Sequence, residues 1–253
     1  VFKSQYPLLT FTRVILFFFG FSSFYVSLTV LPLGTATALF FVTPFLITIF
    51  AHFFLKEEIG IRRWTAVVVG FIGVYVTLNP DFSNFNYLSL LPILCAFCYS
   101  LSMIIIKKTS DKDSVHTQTF TFYIGAMILS IIFYFIIGDG QLNNSDHPAS
   151  QFIFREWFVD FNANIILMVA TGVTATIAFL FLFTAYSIAS PSVVSPFEYS
   201  ILFWSPLVGW LFFEEIPSLN TAIGILIIVS SGIYIFIREK AQNQSIATEK
   251  PLR

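Results

Sequence analysis

Charged residues are scarce in this 253-residue sequence, since Asp, Glu, Lys and Arg together make up 11% of it. Soluble globular domains contain about 25% of these residues, so the composition excludes an ordinary soluble domain. The net charge of −1 gives no sign of a nucleic-acid partner, because the charges form no basic face. The sequence is instead rich in apolar residues, with 57% hydrophobic residues and 33 Phe.

Cysteine is nearly absent, and the two cysteines, Cys95 and Cys98, lie inside an apolar run. The CxxC spacing is typical of redox and metal sites, but such sites need access to water and to further ligands. We therefore predict two structural thiols and no disulfide framework. The sequence also lacks a glycine-rich phosphate loop, a nucleophile–base pair and a metal-ligand cluster. It predicts no cofactor, no enzyme and no ATP-driven pump.

Eight long apolar runs dominate the sequence. Most are close to the ~20 residues that cross a ~30 Å hydrocarbon core. Helices are the expected structure, because lipid offers no partners for backbone polar groups. The predicted fold class is an all-α integral membrane protein with eight transmembrane helices. The runs cover residues 12–30, 34–55, 64–79, 88–106, 117–138, 164–188, 192–213 and 219–237.

Lysine and arginine are distributed unevenly between the loops. When successive loops alternate between the two sides of the membrane, one side receives only Arg155. Because cationic loops stay on the cytoplasmic side, both termini are predicted to be cytoplasmic. The side opposite Arg155, which is the predicted cytoplasmic side, receives Lys3, Arg13, Lys56, Arg62, Arg63, Lys107, Lys108, Lys112, Arg238, Lys240, Lys250 and Arg253.

Two parts of the sequence, residues 25–80 and 182–239, resemble each other. The second run ends in Phe53–Glu58, and the seventh run ends similarly in Leu211–Glu215. Each ending is followed by a short polar turn and a run rich in small residues. The alternation of sides places the first Glu-Glu turn inside and the second outside, so the two copies are predicted to have opposite orientations. Inverted repeats of this kind build transporters whose substrate site lies near the midplane of the membrane.

An inverted repeat needs an odd number of spans in each copy. Residues 81–238 contain five spans and form the predicted second copy, whereas residues 1–80 contain only three. We therefore expect a ten-helix (5+5) inverted-repeat fold whose first two helices precede Val1. The polar segment 239–253 is predicted to be a disordered cytoplasmic tail.

Several motifs resemble the two repeats of EamA-domain proteins in the drug/metabolite transporter superfamily. The resemblance covers residues from about 10 to 238 and implies a ten-helix carrier of small metabolites in a bacterial inner membrane. Some members are S-adenosylmethionine uptake carriers. The motifs are Leu31–Phe41, Pro44, Glu58, Arg62–Trp64 and Gly70–Val74 in the first copy, and Ser195–Tyr199, Trp204, Gly209–Glu215 and Pro217 in the second.

Glu198 lies inside the seventh run, whereas the other acidic residues lie in loops, in the tail or at the ends of runs. A charged residue at the centre of a bilayer costs about 2.5–3.5 kcal/mol on insertion scales, so such residues are interpreted as functional. We predict that Glu198 contacts substrate or carries a proton. The alternative is a protonated or hydrogen-bonded carboxyl that locks two helices together, or one hydrated at the membrane interface.

Two helix faces carry small and polar side chains, one on the second run and one on the seventh. We predict that both faces line a substrate cavity, although helix–helix packing also uses such residues. Prolines within or near both runs predict interrupted helices, which mark transporter sites. Tyrosine and tryptophan near Glu198 are candidates for stacking on a planar substrate. The predicted substrate-binding residues are Glu198, Tyr199, Ser195, Ser205, Trp204, Thr37, Phe41, Pro44, Thr48 and Tyr99.

The sequence thus predicts a secondary transporter of a small metabolite, amino-acid-like or nucleoside-like, that works by alternating access with optional proton coupling. The alternative is a non-transporting scaffold or subunit whose helix faces serve assembly. The expected partners are a small-molecule substrate and the lipid bilayer. The sequence leaves open the substrate, the direction of transport, the coupling ion, and the choice between monomer and homodimer.

Overall fold

A computed structural model describes residues 4–57, 60–79, 86–159 and 161–241 of the chain. These residues form α-helices joined by short turns, with two segments of 3-10 helix. The 3-10 segments are Tyr87–Leu90 and Ser195–Ser200. The α-helices are α1 (Pro7–Ser27), α2 (Leu33–Phe40), α3 (Thr43–Leu55), α4 (Ile61–Leu78), α5 (Leu91–Thr109), α6 (Val115–Ile137), α7 (Pro148–Phe154), α8 (Phe161–Ile188), α9 (Pro191–Val194), α10 (Ile201–Phe213) and α11 (Leu219–Ala241).

Five helical stretches are long and apolar enough to cross a membrane. They are Pro7–Ser27, Leu33–Leu55, Tyr87–Thr109, Val115–Ile137 and Asn164–Ile188. Shorter apolar stretches cover Trp64–Leu78, Phe197–Phe213 and Leu219–Tyr234. The prediction of an all-helical membrane protein is therefore confirmed, while the count of eight spans and the 5+5 repeat stay predictions.

Proline residues explain where several helices begin and where two spans are interrupted. Pro44 lies in the first turn of α3, where a missing backbone N–H costs no hydrogen bond within that helix. In a helix continuous with α2, however, proline would lack a backbone hydrogen bond and would clash with the preceding turn. The chain therefore turns at Phe41 and Val42 between the two helices. In the later span, Pro191 begins α9, and a 3-10 segment separates α9 from α10. Both predicted interruptions are present.

The closest helix–helix packing is between α4 and α11, which cross at glycines. A Cβ added at Gly224 would lie 1.9 Å from Thr77 Oγ1 and 2.8 Å from the carbonyl oxygen of Gly73. Only glycine lets the two backbones approach this closely. Elsewhere, α5 packs along α1 and α3, α6 and α8 pack against this group, and α2 packs against α10. Cys95 and Cys98 are buried free thiols in α5.

Arg13, which the sequence assigns to the cytoplasmic side, is buried among the helices. Helix α1 begins at Pro7, so Arg13 lies inside the helix, with 2% of its surface exposed. Its Nη1 donates to Gln118 Oε1 at 3.1 Å, and Nη2 donates to the Gln118 carbonyl oxygen. Its guanidinium carbon lies 5.2 Å from the centre of the Phe183 ring. The predicted run 12–30 includes Arg13 but gives no sign of this burial, and the cytoplasmic assignment of Arg13 stays a prediction.

The predicted C-terminal tail and the first Glu-Glu turn are only partly covered by the residues that the structure describes. Helix α11 continues through Ala241, so the first three residues of the predicted tail are helical. The rest of that tail, residues 242–253, lies outside the described part of the chain, as does Glu58 of the first Glu-Glu turn.

Candidate functional site

Glu198 lies in the 3-10 segment between α9 and α10 and is held by two tyrosines from other helices. Tyr186 on α8 donates its hydroxyl hydrogen to Glu198 Oε1 at 2.5 Å. Tyr99 on α5 donates to the same oxygen at 2.9 Å. Both tyrosine side chains are buried. The site therefore joins three separate parts of the chain at one carboxylate oxygen.

The second oxygen of Glu198 is available for a further partner. Within the described part of the chain, Oε2 accepts no hydrogen bond, and the side chain is partly exposed. Hydrogen bonds between a carboxylate and hydroxyl donors are among the stronger ones in proteins and orient the group that accepts them. The geometry thus presents an oriented carboxyl that can bind a cation, accept a proton or donate one. No cluster of metal-binding side chains occurs among the described residues.

A cavity of about 410 Å³ lies between α1, α2 and α10, and its lining includes Ile201, three residues after Glu198 in the chain. Five of its lining residues are aromatic, and Ser205 is one of the two that carry a hydroxyl. Ser205 is 7% exposed, and its hydroxyl has no hydrogen-bond partner within the described residues. The cavity is therefore lined by aromatic and other apolar surface, and the Ser205 hydroxyl oxygen is buried in its wall. Its lining consists of Phe21, Phe24, Leu33, Thr37, Phe40, Phe41, Ile201, Trp204, Ser205 and Val208.

Two aromatic rings of the cavity wall contact tyrosines around Glu198. The Phe40 ring, which lines the cavity, lies 5.4 Å from the Tyr99 ring between centroids. The Phe41 ring lies 5.9 Å from the ring of Tyr199, which follows Glu198 in the chain. Phe40 therefore contacts both the cavity and one of the two tyrosines that hold Glu198.

The predicted site residues divide into three groups in the structure. Thr37, Phe41, Trp204 and Ser205 line the cavity, and Tyr99 bonds to Glu198. The remaining four residues are packed between helices. Ser195 is buried at the start of the 3-10 segment, and Tyr199 is buried against Phe41 and Phe45. Pro44 and Thr48 are buried in α3, where Thr48 Oγ1 donates to the Pro44 carbonyl oxygen.

Tyr186 binds Glu198 but is absent from the predicted substrate-binding set, as are six residues of the cavity lining: Phe21, Phe24, Leu33, Phe40, Ile201 and Val208. Tyr186 lies on α8, in a different run from Glu198, and the sequence makes it one of several aromatic residues that could stack on a planar substrate or face lipid. Its contact with Glu198 forms because the chain turns back at Ser190 and Pro191, at the start of α9. No local sequence pattern indicates that turn's direction, so Tyr186 could not be distinguished from the other tyrosines.

These features define a multi-pass helical membrane protein with an oriented carboxyl and an aromatic cavity between its helices. The model of the EamA-like transporter family matches residues 2–79 and 87–237, and the chain belongs to this family. The resemblance found in the sequence motifs is thereby confirmed.

Individual relatives agree with this assignment. The chain is 32% identical over 238 residues to the S-adenosylmethionine uptake transporter of Rickettsia felis, covering 94% of this chain and 74% of that protein. It is 30% identical over 204 residues to the riboflavin transporter of Vibrio cholerae, covering 81% of this chain and 62% of that protein. A solved structure described as "Crystal structure of protein" matches with a TM-score of 0.64 at 16% identity, covering 96% of this chain and 80% of that one, which supports the fold alone.

Proposed function

We propose that this protein is a secondary carrier that moves a small metabolite across the membrane by alternating access. The observation that carries the proposal is Glu198, whose Oε1 is held by Tyr99 and Tyr186 while Oε2 is open to a ligand. Ionisable groups inside membrane-spanning segments are costly and mark the pathways of substrates and ions. Membership of a transporter family supports the same function.

The aromatic cavity supports a nucleoside-like substrate. Aromatic side chains pack well on planar rings, and five aromatic side chains line this cavity. The relatives named for S-adenosylmethionine and for riboflavin both have substrates with a planar heteroaromatic ring. The ring of such a substrate would lie between Phe41 and Trp204.

Glu198 supports a cationic or amino-acid-like group at the other end of the substrate. An ammonium or other cation bound at Oε2 would replace the hydration that the carboxyl loses between helices. The contact between Phe40 and Tyr99 keeps the ring-binding and cation-binding parts adjacent. S-adenosylmethionine carries an adenine ring, an ammonium and a sulfonium, so it is the first compound to test.

Proton coupling is a further part of the proposal. A carboxyl that is exposed to each side of the membrane in turn can release a proton to one compartment and accept one from the other. Within the described helices, Glu198 is the acidic residue that lies away from the helix ends. The coupling would therefore depend on this one residue.

A structural role for the same contacts is the competing explanation. The hydrogen bonds of Glu198 join the 3-10 segment to α5 and α8, as a lock between helices in a non-transporting scaffold would. A carrier must in addition show flux, and a scaffold must not. The two functions are therefore separated by a transport measurement.

The test is uptake by the purified full-length protein in proteoliposomes, with labelled S-adenosylmethionine and riboflavin as probes. We expect saturable uptake of at least one probe, and a loss of about tenfold or more in Glu198→Ala, because a hydrogen-bonded charge contact is removed. Glu214→Asn is the matched control, since it removes an exposed carboxylate from the same span. If the protein is folded but transports none of the compounds that raise its melting temperature, the result would favour the scaffold.

A further inference from the structure

Two glutamates at the ends of the interrupted spans bind the starts of the opposite spans. Glu57 follows α3, and its Oε1 accepts a hydrogen bond from Ser190 Oγ at 2.7 Å. Ser190 is the N-cap of α9. Glu215 follows α10, and its Oε2 accepts a hydrogen bond from the backbone N–H of Leu33 at 2.7 Å. Leu33 is the first residue of α2, so each carboxylate binds where the other span begins.

The two contacts come from corners of the same geometry. Lys56 ends α3 in the left-handed region at φ 58°, and Glu214 ends α10 there at φ 57°. In each corner the following glutamate donates its N–H to a carbonyl oxygen six residues earlier. The distances are 3.2 Å from Glu57 to Ala51 and 3.1 Å from Glu215 to Gly209. The structure therefore contains one helix-ending motif twice, with the same contact made by each copy.

These contacts also show how the two spans are arranged. The end of α3 lies at the start of α9, and the end of α10 lies at the start of α2. The spans α2–α3 and α9–α10 are thus antiparallel, and the two glutamate contacts lie at opposite ends of the pair. The cavity and Glu198 belong to elements between those ends.

Further interactions support each contact. Lys107 lies close enough to Glu57 for their charges to interact, and its Nζ donates to the Ser187 carbonyl oxygen at 3.2 Å. At the other end, Thr35 Oγ1 on α2 lies 3.2 Å from Thr221 Oγ1 on α11. At the start of the eight-residue helix α2, the helix dipole also favours the Glu215 carboxylate.

We propose that Glu57 and Glu215 are the two gate contacts of the carrier, an inference that rests on the proposed alternating-access function. Opening the end of the molecule near Glu57 must separate α3 from α9 and break its bond to Ser190. Opening the other end must break the bond between Glu215 and Leu33. Both bonds are made in the structure, which therefore corresponds to the state in which neither end is open. Each carboxylate stabilises closure of its own end.

Side-resolved cysteine labelling tests this assignment without any substrate. The full-length protein carries Cys95→Ala and Cys98→Ala, and Thr37→Cys in the cavity wall is the reporter. A membrane-impermeant maleimide is added to vesicles of either orientation. Glu215→Ala should increase labelling about tenfold from the side on which Glu215 lies and decrease it from the other side, because loss of a charged hydrogen bond shifts a two-state equilibrium by about this factor. Glu57→Ala should produce the opposite pattern.

Neighbouring substitutions provide the controls. Lys56→Asn and Glu214→Asn change exposed residues of the same two corners at positions where asparagine tolerates a left-handed backbone, and both should label like the parent. If an alanine variant does not fold, Glu57→Gln and Glu215→Gln keep an acceptor oxygen and should give smaller shifts in the same opposite directions.

The proposal is overturned if both glutamate variants shift labelling towards the same side, or if labelling stays within twofold of the parent. The outcome is separate from that of the uptake measurement. If the parent protein shows no uptake but the two variants shift labelling in opposite directions, the gate contacts are supported and the proposed substrate is excluded. If uptake is normal but labelling does not shift, the carrier function is supported and the gate role of the two glutamates is excluded.

Discussion

At the scale of single residues, the proposed chemistry depends on how Glu198 is held. The hydroxyls of Tyr99 and Tyr186 converge on one oxygen from two different helices. Both hydroxyls are donors here, so they stabilise the ionised carboxyl and leave its other oxygen for a substrate cation or a proton. A carboxyl fixed in this way needs little reorganisation when it binds.

Glu198→Gln should remove the dependence of uptake on a proton gradient. Glutamine has a similar shape and can still accept from the two tyrosines, but it cannot exchange a proton at neutral pH. Uptake by the parent should rise as the outside pH falls below the inside pH, whereas uptake by the variant should be flat. The measurement is initial uptake into proteoliposomes at imposed pH gradients. An unchanged pH response in the variant would exclude Glu198 as the proton carrier.

Tyr186→Phe should weaken substrate binding about tenfold or more, since a hydrogen bond to a charged group contributes about 1.5–3 kcal/mol. Tyr123→Phe is the matched control, because the Tyr123 hydroxyl is buried without a hydrogen-bond partner in the described structure. Binding is measured from the quenching of tryptophan fluorescence by S-adenosylmethionine, with thermal stability recorded for both variants. Equal losses of affinity in the two variants would contradict a specific role for Tyr186.

At the scale of elements, the crossing of α4 and α11 is the tightest helix contact in the described residues, and glycine makes it possible. Gly73 and Gly224 face each other, with their backbones too close for a side chain. In a membrane, such close approach replaces the hydrophobic effect as a source of helix association, because lipid tails are as apolar as the side chains. The crossing holds α4 and α11 on the same side of the interrupted spans.

Gly224→Ala should destabilise the protein by about 1–3 kcal/mol, the usual cost of overpacking. The new methyl group would meet Thr77 Oγ1 and the Gly73 carbonyl oxygen. Gly34→Ala is the control, since its Cβ would lie 3.6 Å from Pro206, an ordinary contact distance. Thermal unfolding in detergent is the readout. If Gly34→Ala lowered the melting temperature as much as Gly224→Ala, the crossing would not be the determinant.

The sequence predicted the elements better than their contacts. Apolar runs gave the helices, and Pro44 and Pro191 predicted the interruptions, because proline acts through its own backbone. The buried place of Arg13 was missed, since a charge near the start of an apolar run normally lies at the membrane surface. The bond from Tyr186 to Glu198 was missed for a different reason, because it depends on the path of the chain at Ser190.

At the scale of the whole molecule, the interrupted spans α2–α3 and α9–α10 lie antiparallel to each other. The two Glu-Glu endings align in the sequence, whereas the matching left-handed residues Lys56 and Glu214 align Glu57 with Glu215. This structural alignment pairs Glu198 with Phe40. The carboxyl in one interrupted span thus corresponds to an aromatic ring in the other, so the two spans end alike and differ in chemistry.

The central claim is that the two corners lie on opposite sides of the membrane, with the carboxyl between them. Lys56→Cys and Glu214→Cys place single thiols at matched, exposed positions of the two corners. The measurement is labelling by an impermeant maleimide in intact cells and again after permeabilisation. We predict that Glu214→Cys is labelled in intact cells and that Lys56→Cys is labelled only after permeabilisation. Labelling of both thiols from the same side would contradict the inverted arrangement and, with it, the proposed carrier mechanism.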